Sequence, residues 1–169
     1  MKLFRADGEI YAERKDGRRF TLNAGDKGMH AMINHTTSQA DRDFRAAFEA
    51  CSVMPAAFNH EAHLRLAYIY LVEHGPAGAE RRIRQALLAF LNTHGVPAAR
   101  FHETLTCAWV QAVSHFMTRA ASSSFAEFAA NSQPLLDSKV MLTHYSAETL
   151  FSPEARVSWI APDLEAIPR

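Results

Sequence analysis

Two histidine-bearing motifs stand at predicted helix starts and carry side chains that could do chemistry. The first is the run Phe58-Asn59-His60-Glu61-Ala62-His63-Leu64, in which His60 and His63 are three residues apart. Two imidazoles at that spacing share one helix face and can reach one metal ion. The zinc-protease pattern His-Glu-x-x-His is one residue longer, so Glu61 lacks that precedent as a general base. The structural alternative makes His60 a cap or a solvated side chain and His63 a hydrogen-bonded core histidine.

The second motif is Phe101-His102-Glu103-Thr104-Leu105-Thr106, again near a predicted helix start. His102 and Thr106 share a helix face, whereas Glu103 points about 100° away. A buried patch of these side chains is costly to desolvate unless its members are paired, which suggests the first histidine pair, a metal or a ligand as partner. The alternative is an exposed helix start at which Glu103 complements the helix dipole.

A third polar cluster is His144-Tyr145-Ser146-Ala147-Glu148, followed by Ser152 and Arg156. It could hold a ligand, and His144 and Glu148 would face together if one helix ran through both. Alternatively, Ser146 caps a short new helix and Arg156 forms a surface ion pair.

Three functions remain open from these motifs, and whether the protein is an enzyme is not decided among them. The first is a metal-dependent enzyme with a single iron or zinc ion, because three histidines and an open position are typical of such catalytic sites. The expected metal ligands are His60, His63, His102 and His144, with Glu103, Thr106 and Tyr145 as catalytic residues, and Glu103 is also a candidate ligand.

The second function is a metal-free pocket that holds a small polar ligand, either for histidine–carboxylate acid–base chemistry or as a sensor. Its expected residues are His63, His102, Glu103, Thr106 and Tyr145. The third is a structural or interaction module whose histidines satisfy one another. Cys51 and Cys107 lack a Cys-x-x-Cys partner and are expected to be inert. The sequence has no nucleophile elbow, phosphate-binding loop or dinucleotide fingerprint.

The elements that must position these residues are helical. Alanine occurs 29 times among 169 residues, whereas glycine and proline occur 7 times each. This composition favours helices over a β-sandwich. We therefore predict an all-α, irregular bundle of about five to six helices in one domain over residues 36–169. Residues 1–35 form an N-terminal extension with a small β-hairpin (Glu9–Glu13 and Arg18–Leu22, with turns at Asp7-Gly8 and Asp16-Gly17) or no fixed structure, and Met32 could be an alternative start.

Apolar periodicity and capping residues place the helices. The first begins at Ser38, capped by Thr37 or Ser38, and is closed by Pro55. The second follows Asn59 and stops at Gly75-Pro76. The later segments are Ala79–His94, Ala99–Ala120, Phe125–Asn131 and Leu135–His144. If the bundle is antiparallel in up-down order, the helices that begin near His60 and His102, with one helix between them, run parallel, and their starts lie at the same end of the bundle.

The net charge of the chain and the length of its apolar runs restrict the partners that the protein can have. Eighteen basic residues balance eighteen acidic ones, so no net field favours nucleic acid or an anionic membrane. The longest apolar runs are too short to span a membrane, and the start lacks a signal-peptide pattern. We expect a cytoplasmic protein with a small-molecule ligand, and the alanine-rich faces leave a homodimer open.

Both histidine motifs, together with Tyr145, Leu150-Phe151-Ser152 and Ala155-Arg156, resemble a group of small uncharacterised bacterial helical proteins. The resemblance covers roughly residues 58–165. In that group the position of Asn59 more often holds threonine, and the position of Phe101 holds tyrosine. The resemblance implies a shared site rather than a named reaction, and it leaves residues 1–35 outside.

Overall fold

The computed structural model describes the side chains of residues 34–168 and the backbone of three strands before them. These strands, β1 (Lys2–Ala6), β2 (Glu9–Glu13) and β3 (Arg19–Leu22), form one antiparallel sheet in the order β1-β2-β3. Chain contacts divide the protein into two units, Met1–Ala31 and Met32–Arg169. The predicted turns at Asp7-Gly8 and Asp16-Gly17 and the alternative start at Met32 lie outside the described residues.

From residue 34 onward the described chain is all-α, as predicted. Helix α1 (Gln39–Glu49) begins with a capping box. The Ser38 hydroxyl accepts from the Asp41 N–H at 3.1 Å, and the Asp41 carboxylate accepts from the Ser38 N–H at 3.0 Å. Such reciprocal bonds satisfy backbone donors that a helix start otherwise leaves unpaired. This confirms Ser38 as the cap.

Helix α2 (His60–Thr93) is one element with a break inside it. Asn59 caps it by accepting from the Ala62 N–H at 3.0 Å. At Gly75 the backbone has φ 65° and ψ 178°, a conformation essentially restricted to glycine. The predicted stop at Gly75 is therefore confirmed. The helix resumes at Pro76 rather than at Ala79, because proline is well tolerated in a first helical turn.

Helix α3 (Glu103–Met117) is shorter than the predicted segment Ala99–Ala120. Residues Ala98–Arg100 form a 3₁₀ turn, and the chain is extended at Phe101 and His102 before the helix begins. Helix α4 (Phe125–Ala130) follows, with Ser124 as its cap.

The predicted helix Leu135–His144 is wrong. The structure has two 3₁₀ turns there, Gln133–Leu136 and Ser138–Thr143. The Asp137 carboxylate lies between them and accepts from the Lys139 N–H at 2.9 Å. Such a local side-chain bond competes with continued helix and starts a new turn. Two short helices, α5 (Ala147–Leu150) and α6 (Pro153–Val157), complete the described elements.

The core lies chiefly between α2 and α3, and α1 also packs against α2. Three phenyl rings join α1 to the turn before α2 and to the second half of α2: Phe48 lies 4.5 Å from Phe58 and 4.8 Å from Phe90, centroid to centroid. These contacts hold the turn before α2 against the second half of that helix. No helix in the described part of the chain is long and apolar enough to cross a membrane.

A buried carboxylate ties α1, α2 and α4 together. Asp41 is 1% exposed and accepts from Arg65 Nε at 2.9 Å and from the Phe125 N–H at 3.1 Å, besides its two bonds with Ser38. Burial alone would raise the pKa of Asp41, but the hydrogen bonds from Ser38, Phe125 and Arg65 leave it below its ordinary value. The folded protein therefore favours the charged form.

We expect Asp41→Asn to lower the free energy of unfolding by about 2 kcal/mol at pH 7, because charge-assisted bonds are replaced by a weaker amide that also brings unwanted donors. Since the folded pKa of Asp41 is lowered, its contribution is present above the unfolded pKa of about 3.9 and is lost as the pH falls below it. Urea unfolding from neutral to acidic pH should show the two proteins converging.

The exposed Asp43, on the same helix, is the matched control. Asp43→Asn should change the unfolding free energy by less than about 0.5 kcal/mol. A constant difference between wild type and Asp41→Asn at every pH would contradict the role given to the Asp41 charge.

Candidate functional site

A cavity of about 650 Å³ opens beside the starts of α2 and α3. This is within the usual size of a small-molecule pocket, roughly 300–1,000 Å³. His60 and His63 line it from the first turns of α2, and His102 and Thr106 line it from the start of α3. The two helix starts thus meet at one site, which the predicted parallel direction of the two helices permits.

Most of the wall is apolar and aromatic. The second half of α2 supplies Ile83, Leu87 and Phe90, whose buried side chains mark the deep end of the cavity. The exposed Pro55, Asn59 and Arg100 mark its opening to solvent. The remaining wall residues are Phe58, Ala67, Leu91, Val96, Phe101, Leu105 and Trp109.

His60 and His63 each have one ring nitrogen bonded to a backbone carbonyl. His60 Nε2 lies 2.9 Å from the oxygen of Leu135, and His63 Nδ1 lies 3.0 Å from the oxygen of Asn59. A carbonyl only accepts, so each of these nitrogens carries the hydrogen. In the neutral rings, His60 Nδ1 and His63 Nε2 are therefore left with lone pairs.

Aromatic neighbours fix the orientation of both rings. The centroid of His63 is 4.0 Å from that of Phe58, and the His60 ring meets Trp109 edge-on at 4.5 Å. Burial lowers the pKa of His63, and the nearby His60 lowers it further, while the bond to Asn59 opposes them. His63 is thus held in its neutral form.

His102 acts as the N-cap of α3, and both of its ring nitrogens are used. Nδ1 accepts from the Leu105 N–H at 3.2 Å, and Nε2 donates to the oxygen of Leu150 at 2.9 Å. The ring is buried, which lowers its pKa, and the positive charge of Arg156 acts in the same direction. His102 is therefore a neutral imidazole that joins α3 to the end of α5.

Glu103 does not line the cavity. Its carboxylate pairs with the guanidinium of Arg84 on α2, with one oxygen 2.9 Å from Arg84 Nε. This pairing holds the pKa of Glu103 below its usual value despite partial burial. Cys107 donates to the same carboxylate, and burial raises the pKa of its thiol to about 12. The thiol stays protonated, as expected for an inert cysteine.

Thr106 lines the cavity, and its hydroxyl donates to the backbone oxygen of His102 at 2.8 Å. The donor is thereby used within the helix, and the oxygen lone pairs remain as acceptors. Thr106 is thus brought together with the three histidines, as the sequence predicted.

Tyr145 and His144 are not among the residues that line this cavity. The Tyr145 side chain is fully buried and donates to the oxygen of Ile160 at 2.9 Å, and burial raises its pKa to about 12. His144 Nδ1 donates to the oxygen of Glu165 at 2.9 Å. Both residues fasten the C-terminal segment onto the helices.

The third cluster also has the expected short-helix geometry. Ser146 caps α5 by accepting from the Thr149 N–H at 3.2 Å. Arg156 bonds the backbone oxygen of Ala99 at 3.1 Å rather than a carboxylate. The interpretation of Ser146 as a new helix cap is confirmed, and the predicted surface ion pair of Arg156 is replaced by a backbone contact.

Sequence reasoning missed Arg100 and the aromatic wall. Arg100 is the one charged side chain that lines the cavity among the described residues. Arg100 directly precedes the motif that begins at Phe101. A cation beside a polar helix start is well placed to meet a ligand, so this position was a usable sequence signal. Phe58 and Trp109 carried the apolar signal of core residues.

His60 and His63 have hydrogen bonds that suit metal ligands, His102 and Glu103 are already engaged, and His144 does not line the cavity. Ligating histidines commonly donate their second ring nitrogen to a backbone carbonyl, as His60 and His63 do. His102 has no lone pair to spare, and Glu103 is paired with Arg84. Within residues 34–168, no three His, Cys, Asp or Glu side chains are grouped to hold a metal ion.

Comparison with protein-family models, with curated proteins and with solved structures finds no match for this chain. The group suggested by the sequence motifs therefore stays a prediction, and the geometry of the cavity is the basis for the function proposed below.

We expect His102→Asn to lower the free energy of unfolding by about 1 kcal/mol at pH 7, because asparagine can cap α3 but is too short to replace the bond to Leu150. The folded pKa of His102 is lowered, so the unfolded chain binds the proton first. Wild type should therefore lose stability as the pH falls below about 6.5.

The variant lacks this component, so its stability should fall less steeply between about pH 7 and pH 5. Urea unfolding at several pH values measures both slopes. Equal slopes in wild type and His102→Asn would show that His102 is not held neutral by the fold.

Proposed function

We propose that this protein binds a small organic molecule in the cavity between the starts of α2 and α3. The observation that carries the proposal is the cavity itself, in which an apolar, aromatic interior meets a few polar atoms on one side. Such a combination is typical of small-molecule sites, where apolar walls supply affinity and a few polar groups fix the orientation.

The polar atoms are positioned before any ligand arrives. His60, His63 and His102 are each tied to a backbone carbonyl, and the first two rings also pack on aromatic side chains. A site whose side chains are already ordered loses little conformational entropy on binding. The cavity therefore supports ligand binding. The protein would then act as a carrier, as a sensor or as an enzyme that binds its substrate there.

Catalytic roles for Glu103 and Tyr145 have little support. Glu103 faces Arg84, and Tyr145 is buried against Ile160, so neither lines the cavity with the histidines. His63 is the best candidate for proton transfer, because it is neutral and has a free lone pair beside the cavity.

Trp109 gives a direct test of binding. The chain has two tryptophans, and Trp159 lies outside the cavity. In a Trp159→Phe background, Trp109 is the only indole and should report saturable binding of phenyl compounds by fluorescence. With phenylacetate, 2-phenylethanol and 2-phenylethylamine as probes, we expect a dissociation constant on the order of millimolar or below for at least one.

Thr106→Phe should weaken this binding, because the larger side chain takes part of the space that the ring of the probe would occupy. Gln111→Phe is the matched control, since Gln111 is a half-buried residue of the same helix outside the cavity wall. The proposal fails if no probe gives a saturable change in correctly folded protein, or if Thr106→Phe binds as wild type does.

A second candidate, metal binding, is favoured by the tautomers of His60 and His63. Each donates one nitrogen to a carbonyl and keeps a lone pair on the other, the arrangement that supports ligation. An ion there would act as a Lewis acid, with its remaining positions taken by water or substrate. Such a site would be built on two histidines, not on the four that the sequence suggested.

Calorimetric titration with zinc tests this candidate, together with elemental analysis of untagged protein purified without chelator. We expect about one zinc per chain, lost in His60→Ala and in His63→Ala but kept in His102→Asn, whose ring nitrogens are engaged elsewhere. Unchanged zinc binding in the His60→Ala/His63→Ala double variant, or no binding by wild type, would reject a metal at this pair.

A further inference from the structure

The charge around the cavity indicates which molecules it accepts. Among the described residues, no aspartate or glutamate lines the wall. The nearest acid in the motif, Glu103, is neutralised by Arg84. The cavity wall thus offers no carboxylate to a cationic ligand, which would lose part of its hydration without an ion pair in return.

A positive charge stands at the opening instead. The exposed Arg100 lines the cavity, and its guanidinium has no hydrogen-bond or ion-pair partner in the described part of the chain. The 3₁₀ turn that carries it, Ala98–Arg100, is held by Arg156, whose guanidinium donates to the oxygen of Ala99. Arg156 does not itself line the cavity, and neither guanidinium is paired with a carboxylate of the described residues.

In contrast to the charged opening, the interior of the cavity is mainly aromatic and apolar. Five of the lining side chains are Phe58, Phe90, Phe101, Trp109 and Leu87, and the buried ring of His102 is fully hydrogen-bonded. A ligand therefore finds aromatic surface inside and an unpaired cation outside. Aromatic rings prefer such walls because offset and edge-to-face contacts add to the gain from burial.

We propose that the ligand is an aromatic carboxylate, with its ring in the cavity and its carboxylate paired with Arg100 at the opening. This inference rests on the proposed binding function and adds the class of ligand to it. A guanidinium suits this role because its planar donors match the two oxygens of a carboxylate. Arg100 is then the residue that determines specificity for charge.

Probes of one shape and three charges test the proposal. Phenylacetate, 2-phenylethanol and 2-phenylethylamine share a ring and chain length and end in an anion, a neutral hydroxyl and a cation. By calorimetry or by Trp109 fluorescence, we expect phenylacetate to bind about tenfold more tightly than the alcohol, and the amine to bind most weakly.

Substitution of Arg100 gives the decisive comparison. Arg100→Gln should weaken phenylacetate about tenfold and leave 2-phenylethanol unchanged, so that the preference for the anion disappears. Arg100→Lys should keep part of the preference, since it retains charge without the bidentate geometry. Arg81→Gln, which removes an exposed arginine of α2 outside the cavity wall, should behave as wild type.

The outcomes separate this inference from the proposed function. If the alcohol binds in the cavity but phenylacetate binds no more tightly, or if Arg100→Gln weakens both equally, the carboxylate assignment is overturned while the binding function stands. If none of the three probes binds to folded protein, both are rejected. Tighter binding of the amine would also overturn the assignment.

Discussion

The site depends on one imidazole that bonds the backbone with both of its nitrogens. His102 begins α3 by capping the Leu105 N–H and reaches across to the carbonyl of Leu150. The first bond fixes where the helix starts, and therefore where Thr106 and Trp109 stand along the cavity wall. The second fixes the end of α5 against that helix start. Because the ring must accept on one side and donate on the other, only the neutral tautomer with hydrogen on Nε2 fits.

Hydrogen bonds from an imidazole to a backbone carbonyl recur through the fold. His35 donates to the oxygen of Met117, His60 to that of Leu135, and His144 to that of Glu165. Each bond joins segments that are distant in sequence and supplies a donor to a carbonyl outside regular helix hydrogen bonding. Buried carbonyls need such partners, particularly where 3₁₀ turns replace longer helices. These three histidines therefore serve first as cross-links between segments. At the cavity, His60 and His63 each keep one ring nitrogen that is not bonded to the backbone.

The parts of the fold that local chemistry determines could be predicted from sequence. Ser38 and Asn59 act as caps through bonds that span three residues, and Gly75 breaks α2 because of its own backbone. The meeting of His60, His63 and His102 at one cavity could be expected from the two histidine-bearing helix starts, and the direction of the helices permitted it. These features depend on neighbours in sequence or on simple topology, which patterns of residue type reveal.

The parts that sequence did not predict depend on tertiary partners. Glu103 was placed in the site, but Arg84, nineteen positions earlier on another helix, draws it away. Tyr145 and His144 were also placed there, but the C-terminal segment supplies Ile160 and Glu165 as acceptors. No periodicity in the sequence indicates these choices, because each polar side chain goes to whichever backbone or charged group the packed chain brings within reach.

The cavity is apolar inside and charged at its opening, and this arrangement decides where a carboxylate can bind. A carboxylate buried deep among phenyl rings would lose its hydration, and the ring nitrogens of His102 could not compensate since both are already bonded. At the opening, the charge can keep part of its water and still meet the guanidinium of Arg100. The hydrophobic gain then comes from the ring of the ligand, and the ion pair sets its direction. An apolar interior and a single cation at the rim thus select for orientation as well as for charge.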